Sequence, residues 1–219
     1  MQTFKGTFFF LPNFPAKRVY NTMAEFSRER EVNTEDLKLL YQGSISKQHG
    51  FEEIISILNR RVVGKGLKLV LKGFISDAYL NELQELAAAN KVADRFIYLP
   101  PGGYKEVIKN SFLCHIGIGI YMKNDIMNNT LGTASNKIYE YAAAGLPVLV
   151  YDNEHFRAAL ADTNWAIFTD ATPESLIKCL EDIVNNYRSL TAAARKDFIE
   201  RLCFEYHFDN VAEFLQKDK

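Results

Sequence analysis

From Leu37 to Thr169 the chain alternates short apolar runs with single amphipathic stretches, and few architectures satisfy that rhythm. Leu37–Gly43, Leu67–Phe74, Arg95–Leu99, Phe112–Tyr121, Val148–Tyr151 and Trp165–Thr169 are apolar runs bounded by turn residues, so they read as buried strands. Between them, Phe51–Val63 places Phe51, Ile54, Ile55 and Leu58 on one helical face, and Asp77–Asn90 does the same with Leu80, Leu83, Leu86 and Ala87. Shorter helices are expected over Tyr104–Asn110, from Ser135 to the glycine at 145, and over Glu154–Asp162. Thr172-Pro173-Glu174 opens another, with a capping hydroxyl, a proline at the first position and an acid in the first turn. Thr191–Gln216 reads as helix in two pieces. Strands separated by single helices run parallel with right-handed crossovers. The expected fold is α/β: a Rossmann-like, doubly wound, mostly parallel six-stranded sheet.

The 219 residues suffice for one such domain, expected over 37–219. Residues 1–36 differ in character and are expected to be an N-terminal strand and linker packing on it. Thr3–Leu11 is aromatic-rich and reads as a strand or extended segment, Pro12-Asn13-Phe14-Pro15 as a turn, and Ala16–Asp36 as irregular or a lightly packed helix. With 26 Lys and Arg against 27 Asp and Glu, the net charge of −1 argues against nucleic acid as a partner and against electrostatic docking on an anionic membrane. No apolar stretch approaches the ~20 residues of a membrane span, and the N-terminus lacks signal-peptide character. Cys114, Cys179 and Cys203 are odd in number and widely spaced, reading as core packing in a reducing compartment. The cytoplasm is the expected location.

Ser135-Asn136-Lys137-Ile138-Tyr139-Glu140-Tyr141-Ala142-Ala143-Ala144-Gly145-Leu146-Pro147-Val148 runs from a polar loop through a short helix into a strand. Ser135 or Asn136 can cap the helix, and Gly145 can end it in the left-handed conformation. The helix start therefore offers free N–H groups beside a lysine and a glutamate. Free amides suit phosphate, and a carboxylate one turn in suits a vicinal diol such as ribose. An ordinary capped helix, with Glu140 merely complementing the helix dipole, is the plainer alternative.

Asn136-Lys137, Glu140-Tyr141, Ala144-Gly145 and Pro147-Val148 resemble the donor-binding motif in the C-terminal domain of group 1 (family 4 type) retaining GT-B glycosyltransferases. The resemblance implies that Lys137 and the helix amides face the donor diphosphate and that Glu140 holds the ribose hydroxyls. Leu11-Pro12-Asn13 resembles the crossing point into that second domain. An N-terminal acceptor domain would then be missing from this chain or separate from it, and any peripheral membrane attachment would run through that domain.

Two loops depart from the family pattern. Gly43-Ser44-Ile45-Ser46-Lys47-Gln48-His49-Gly50 carries Ser44 and His49 where the family commonly has an arginine and a lysine gripping the diphosphate. Either Lys47, Lys123 and Lys137 compensate, or donor binding is weakened, or activity is altered; simple solvation of a glycine-flanked turn is the plain alternative. The first of the family's two glutamates would fall at Gly132, leaving the backbone of Thr133, Ala134 and Ser135 for the sugar. Backbone groups over Leu99–Gly102, including Pro100, are expected to meet the base. The candidate donor-site residues are therefore Gly43, Ser44, Lys47, His49, Leu99, Pro100, Thr133, Ala134, Ser135, Asn136, Lys137 and Glu140, with no catalytic residue identifiable.

Of the four histidines, His115 reads as core, His155 as a cap or site neighbour, and His207 as structural. No pair has metal-ligand spacing, Asp125 has no acidic partner in register, and no phosphate loop or nucleophile elbow is present. By resemblance, the substrate is a UDP- or GDP-sugar bound without cofactor or metal. The expected activity is glycosyl transfer in glycan or cell-surface polysaccharide synthesis, inactive in this chain alone. A sugar-nucleotide epimerase-type domain and a non-catalytic interaction module on the same scaffold are the alternatives.

Overall fold

The computed structural model describes residues 7–9, 11–22, 35–122 and 135–217. Their organising element is β1 (Asp36–Ser44), which pairs along its whole length with β2 (Gly66–Phe74). Beyond β2 lies β3 (Phe96–Leu99); on the other side of β1 come β4 (Ile116–Gly119), β5 (Val148–Tyr151) and β6 (Ala166–Thr169). All pairs are parallel, in the order β3-β2-β1-β4-β5-β6. The expected doubly wound sheet is borne out, and its strand order reverses between β1 and β4, where such folds open a crevice.

Period-two alternation along β1 divides the core. Leu37, Leu39 and Tyr41 point into one apolar layer. The helices of that layer are α2 (Phe51–Ile57) and α3 (Asp77–Ala89). Leu40 points into the other, with Phe112 of α4 (Tyr104–Leu113) and Tyr141 of α5 (Asn136–Ala143). A short α6 (Glu154–Ala159) adds Phe156 to this second layer, where Trp165 is fully buried. After β6, α7 (Pro173–Asn185) returns to the first layer, and α8 (Tyr187–Glu200) adds Ala194 and Phe198 to the second. Strands buried on both faces explain why the runs read as continuously apolar.

Residues 15–18 meet residues 204 and 205. Main-chain N–H groups of Lys17 and Arg18, opening α1 (Lys17–Thr22), donate to the Glu205 carboxylate at 2.8 and 3.4 Å. Glu205 lies on α9 (Phe204–Lys217), and Phe204 N–H donates to Pro15 O at 3.1 Å. Phe14 packs edge-on to Tyr139 of α5, and Tyr20 of α1 is fully buried. The segment after Pro15 thus contains a well-anchored helix, not a lightly packed one.

Two expectations need correction. Phe112 and Leu113 finish α4 instead of starting β4, because Ile108, Ser111 and Phe112 share the buried face of a helix. The helix from Phe51 ends at Ile57, and residues 62–65 form a tight turn with Val63 and Gly64 at positive φ. Of the two readings of Thr3–Leu11, strand or extended segment, residues 7–9 carry no strand. The remainder of Thr3–Leu11 is outside the described residues apart from Leu11, as are residues 23–34, Lys123, Asp125, Gly132, Thr133 and Ala134. Cys114, Cys179 and Cys203 are buried and not disulfide-bonded.

Candidate functional site

The site forms where α5 meets the sheet. Gly145, at φ 72°, ends α5: its N–H donates to Ala142 O, and that of Leu146 to Tyr141 O, each at 2.9 Å. Tyr141 lies flat on β4 where Gly117 has no side chain; a Cβ there would be 2.3 Å from the ring. The Tyr141 hydroxyl accepts the main-chain N–H of Gln42 at 3.1 Å, tying α5 to the end of β1. Ser135 occupies the position before the first turn in extended conformation, yet neither it nor Asn136 caps the helix through its side chain. The Asn136 amide instead accepts from Asn13 Nδ2 at 2.5 Å, across from the linker.

A cleft of about 540 Å³ opens here, at the carboxyl end of β1. Asn13, Gln42, Gly43, Tyr104, Val107, Ser135, Asn136, Lys137 and Glu140 line it. Its size suits a small organic ligand. Glu140 is the acid of the cleft. Burial raises its pKa, while hydrogen bonding from Tyr104, the Lys137 charge and the Gln42 amide oppose the rise. Lys137 is the cation. Its Nζ donates to the Tyr121 hydroxyl at 2.5 Å and the Tyr41 hydroxyl at 3.1 Å, and lies 4.5 Å from the Tyr41 ring centre. Its stem crosses Gly43, where a Cβ would meet Cε at 3.3 Å. A groove of about 660 Å³ between α2 and α7 is larger, but it lies on solvent-facing helix surfaces among Arg60, Arg61, Lys178, Glu174 and Glu181.

No family model and no curated protein sequence matches the chain. Solved structures do. The lipopolysaccharide glycosyltransferase WaaG superposes over 93% of this chain with a TM-score of 0.64 at 18% identity. Anabaena HepE, solved with UDP and glucose, matches over 94% with a TM-score of 0.65 at 13% identity. Sucrose-phosphate synthase from Thermosynechococcus elongatus matches over 94% with a TM-score of 0.66 at 11% identity. The fold is that of one half of the GT-B architecture. The chain spans 55%, 56% and 51% of those three proteins.

On this GT-B half, five candidate residues meet in the cleft: Gly43, Ser135, Asn136, Lys137 and Glu140. Ser44, Lys47 and His49 lie on the Gly43 loop without lining it. Lys47 is exposed and pairs with Glu82 of α3 at 2.6 Å. Ser44 O accepts the Tyr41 hydroxyl at 2.7 Å. Leu99 and Pro100 also lie outside the lining, and Pro100 O accepts from the buried Lys72 Nζ at 2.8 Å. Asn13, Gln42, Tyr104 and Val107 were not expected in the site. A polar residue closing the apolar run of β1 was the readable sign for Gln42; Leu11-Pro12-Asn13 marked Asn13 as a domain crossing and not as a site residue.

His49 stacks on Tyr41 with ring centres 5.1 Å apart and meets Tyr121 edge-on at 5.0 Å. Burial, then the Lys137 charge, push its pKa down to about 4. The unfolded chain therefore takes up the proton first. Its contribution to stability is complete above about pH 6.5 and is lost as pH falls toward about 4. Urea midpoints measured across that window should decline more steeply for the wild type than for His49→Phe; parallel profiles would contradict the burial of a neutral imidazole.

His115 accepts Lys38 N–H at Nδ1 at 3.0 Å within the core, and His155 is exposed on α6, which Asn153 caps. His207 lies on α9 against Arg201 O and the Phe14 ring. Among the described residues no three His, Cys, Asp or Glu side chains gather as a metal site, and no helix is long and apolar enough to cross a membrane.

Proposed function

We propose that this chain is the donor-binding domain of a glycosyltransferase, taking a nucleotide-diphosphate sugar such as a UDP- or GDP-sugar. The supporting observation is the convergence of Lys137, Glu140 and Gly43 on one cleft at the strand-order reversal. In this reading the ribose diol donates to Glu140. The diphosphate lies over Gly43, against the uncapped first turn of α5, with Lys137 neutralising charge as the nucleotide leaves. The base extends past the cleft lining to the backbone after Leu99. The acceptor comes from a second domain, so the chain alone binds nucleotide and transfers no sugar. In this reading the protein works in the cytoplasm and its product belongs to glycan or cell-surface polysaccharide synthesis. HepE, crystallised with UDP-glucose, supports the choice of ligand class.

Calorimetric titration of the chain with UDP, GDP and ADP tests this. One nucleotide should bind saturably, and Glu140→Ala should weaken it about 100-fold, the scale of losing two hydrogen bonds to a charged acceptor. Equal affinity in the variant would remove the site from α5. Sugar transfer by the purified chain would remove the need for a second domain.

One observation favours a nucleotide-independent interaction module instead. On the Gly43 loop, Lys47 is engaged by Glu82 and His49 is neutral, so the loop presents little positive charge to a diphosphate. A folded chain without nucleotide affinity, even with an acceptor domain added, would select that reading.

A further inference from the structure

The last inward-facing position of β1 before Gly43 is a glutamine. Gln42 follows Leu40 on the same face and is 3% exposed. Its side-chain nitrogen donates to Ser111 Oγ at 3.0 Å and makes a longer contact with Glu140 Oε2 at 3.5 Å. Its oxygen, Oε1, is buried without a hydrogen-bond partner among the described residues. An amide left half-unpaired in the core carries a desolvation cost that methionine or leucine, filling similar space, would not. What the glutamine contributes in return is a fixed donor beside Glu140. Packing cannot rotate it away, because its own N–H is held by Tyr141 and its amide by Ser111.

Among the described residues, Tyr104 hydrogen-bonds the Glu140 carboxyl from α4, Lys137 approaches on α5 itself, and the phenols of Tyr20 and Tyr141 face it from α1 and α5. Lys137 is already engaged by Tyr41 and Tyr121. Gln42 is the neutral donor on the sheet side, opposite the Tyr104 hydroxyl.

We propose that Gln42 is a positioning residue: it keeps the Glu140 carboxylate ionised and aimed into the cleft, so that the cleft takes ribonucleotides in preference to 2′-deoxyribonucleotides. The preference rests on the donor-site reading above; the hold on Glu140 does not. A carboxylate anchored from the sheet receives two ribose hydroxyls in one orientation, whereas an unanchored one gains less from the second hydroxyl.

Two measurements on the whole chain separate these claims. In the ligand-free protein, carbon-13 NMR of the glutamate side chains, with Glu140 assigned through Glu140→Gln, should show the Glu140 titration moving upward in Gln42→Met. The expected move is about one pH unit, the equivalent of one hydrogen bond to a charged acceptor. Gln42→Leu serves as the second variant should methionine fail to fold. An unmoved midpoint overturns the proposal. Whichever of UDP, GDP and ADP binds is then titrated beside its 2′-deoxy form at pH 7. The wild type should prefer the ribonucleotide about tenfold, and the preference should collapse toward unity in Gln42→Met. If the preference survives there, the proposal falls while the donor site stands. If the NMR midpoint moves but the wild type binds none of the three nucleotides, the donor site falls and the hold of Gln42 on Glu140 stands.

Discussion

Gly73→Ala is expected to prevent stable folding of the chain. Gly73 and Gly43 are register partners at the carboxyl ends of β2 and β1, and both have positive φ, 140° and 129°. A Cβ at Gly73 would lie 1.9 Å from Gly43 O and 2.9 Å from its carbonyl carbon. These are backbone atoms of the central strand, so no side chain can swing aside. The strands must separate, or Gly73 must abandon its conformation, which itself costs an L-residue ~1–2 kcal/mol. Together these should exceed ~4 kcal/mol, a large share of the ~5–15 kcal/mol that holds a domain together. Urea denaturation followed by circular dichroism reads the loss. A variant within ~1 kcal/mol of wild type would mean that the two strand ends do not approach so closely. Because Gly43 floors the cleft, a partly folded Gly73→Ala chain should also lose nucleotide binding.

Trp165→Ala should cost ~3–5 kcal/mol, the usual range for emptying a large aromatic site. Trp165 is fully buried, its main-chain oxygen accepts Val148 N–H at 2.9 Å, and its indole N–H donates to Asp197 at 2.8 Å. Asp197 also takes the Arg201 guanidinium at 2.9 Å, so the indole joins the start of β6 to the end of α8. For a chain of this length the melting temperature should fall by roughly 10 °C. Trp165→Phe keeps much of the volume and loses the hydrogen bond, so it should lose about a third as much. Equal losses in the two variants would mean that the bond to Asp197, not the filled volume, dominates.

The parts of the molecule legible in the sequence are those set by local rules. Parallel strands buried on both faces, such as Leu67–Phe74, announce themselves as apolar runs, and Gly145 announces the end of α5. Phe112 misled because an apolar residue at a helix end and one at a strand start look alike without the neighbouring helix face. Ser135 has the identity of a capping residue but not its hydrogen bond, since that depends on where the preceding loop delivers it. The cleft was legible on one side only. Lys137 and Glu140 sit within one helical turn, so spacing brought them together. Asn13, Gln42 and Tyr104 reach the same cleft from a linker, a strand end and another helix, and such convergence is decided by packing over long sequence separations. Lys47 shows the converse: it is close in sequence to the site, yet Glu82 draws it toward α3.

The pairing of residues 15–18 with residues 204 and 205 has a bearing on the cleft. Asn13, which forms part of the cleft wall, belongs to a segment held by Pro15 and α1, and both are fastened to Phe204 and Glu205 of α9. That wall is therefore fastened twice: to α9, and to α5, the helix that carries Glu140, through Asn13 on Asn136 and Phe14 on Tyr139. The double fastening holds the wall at a set distance from Glu140, so the cleft meets its ligand already shaped.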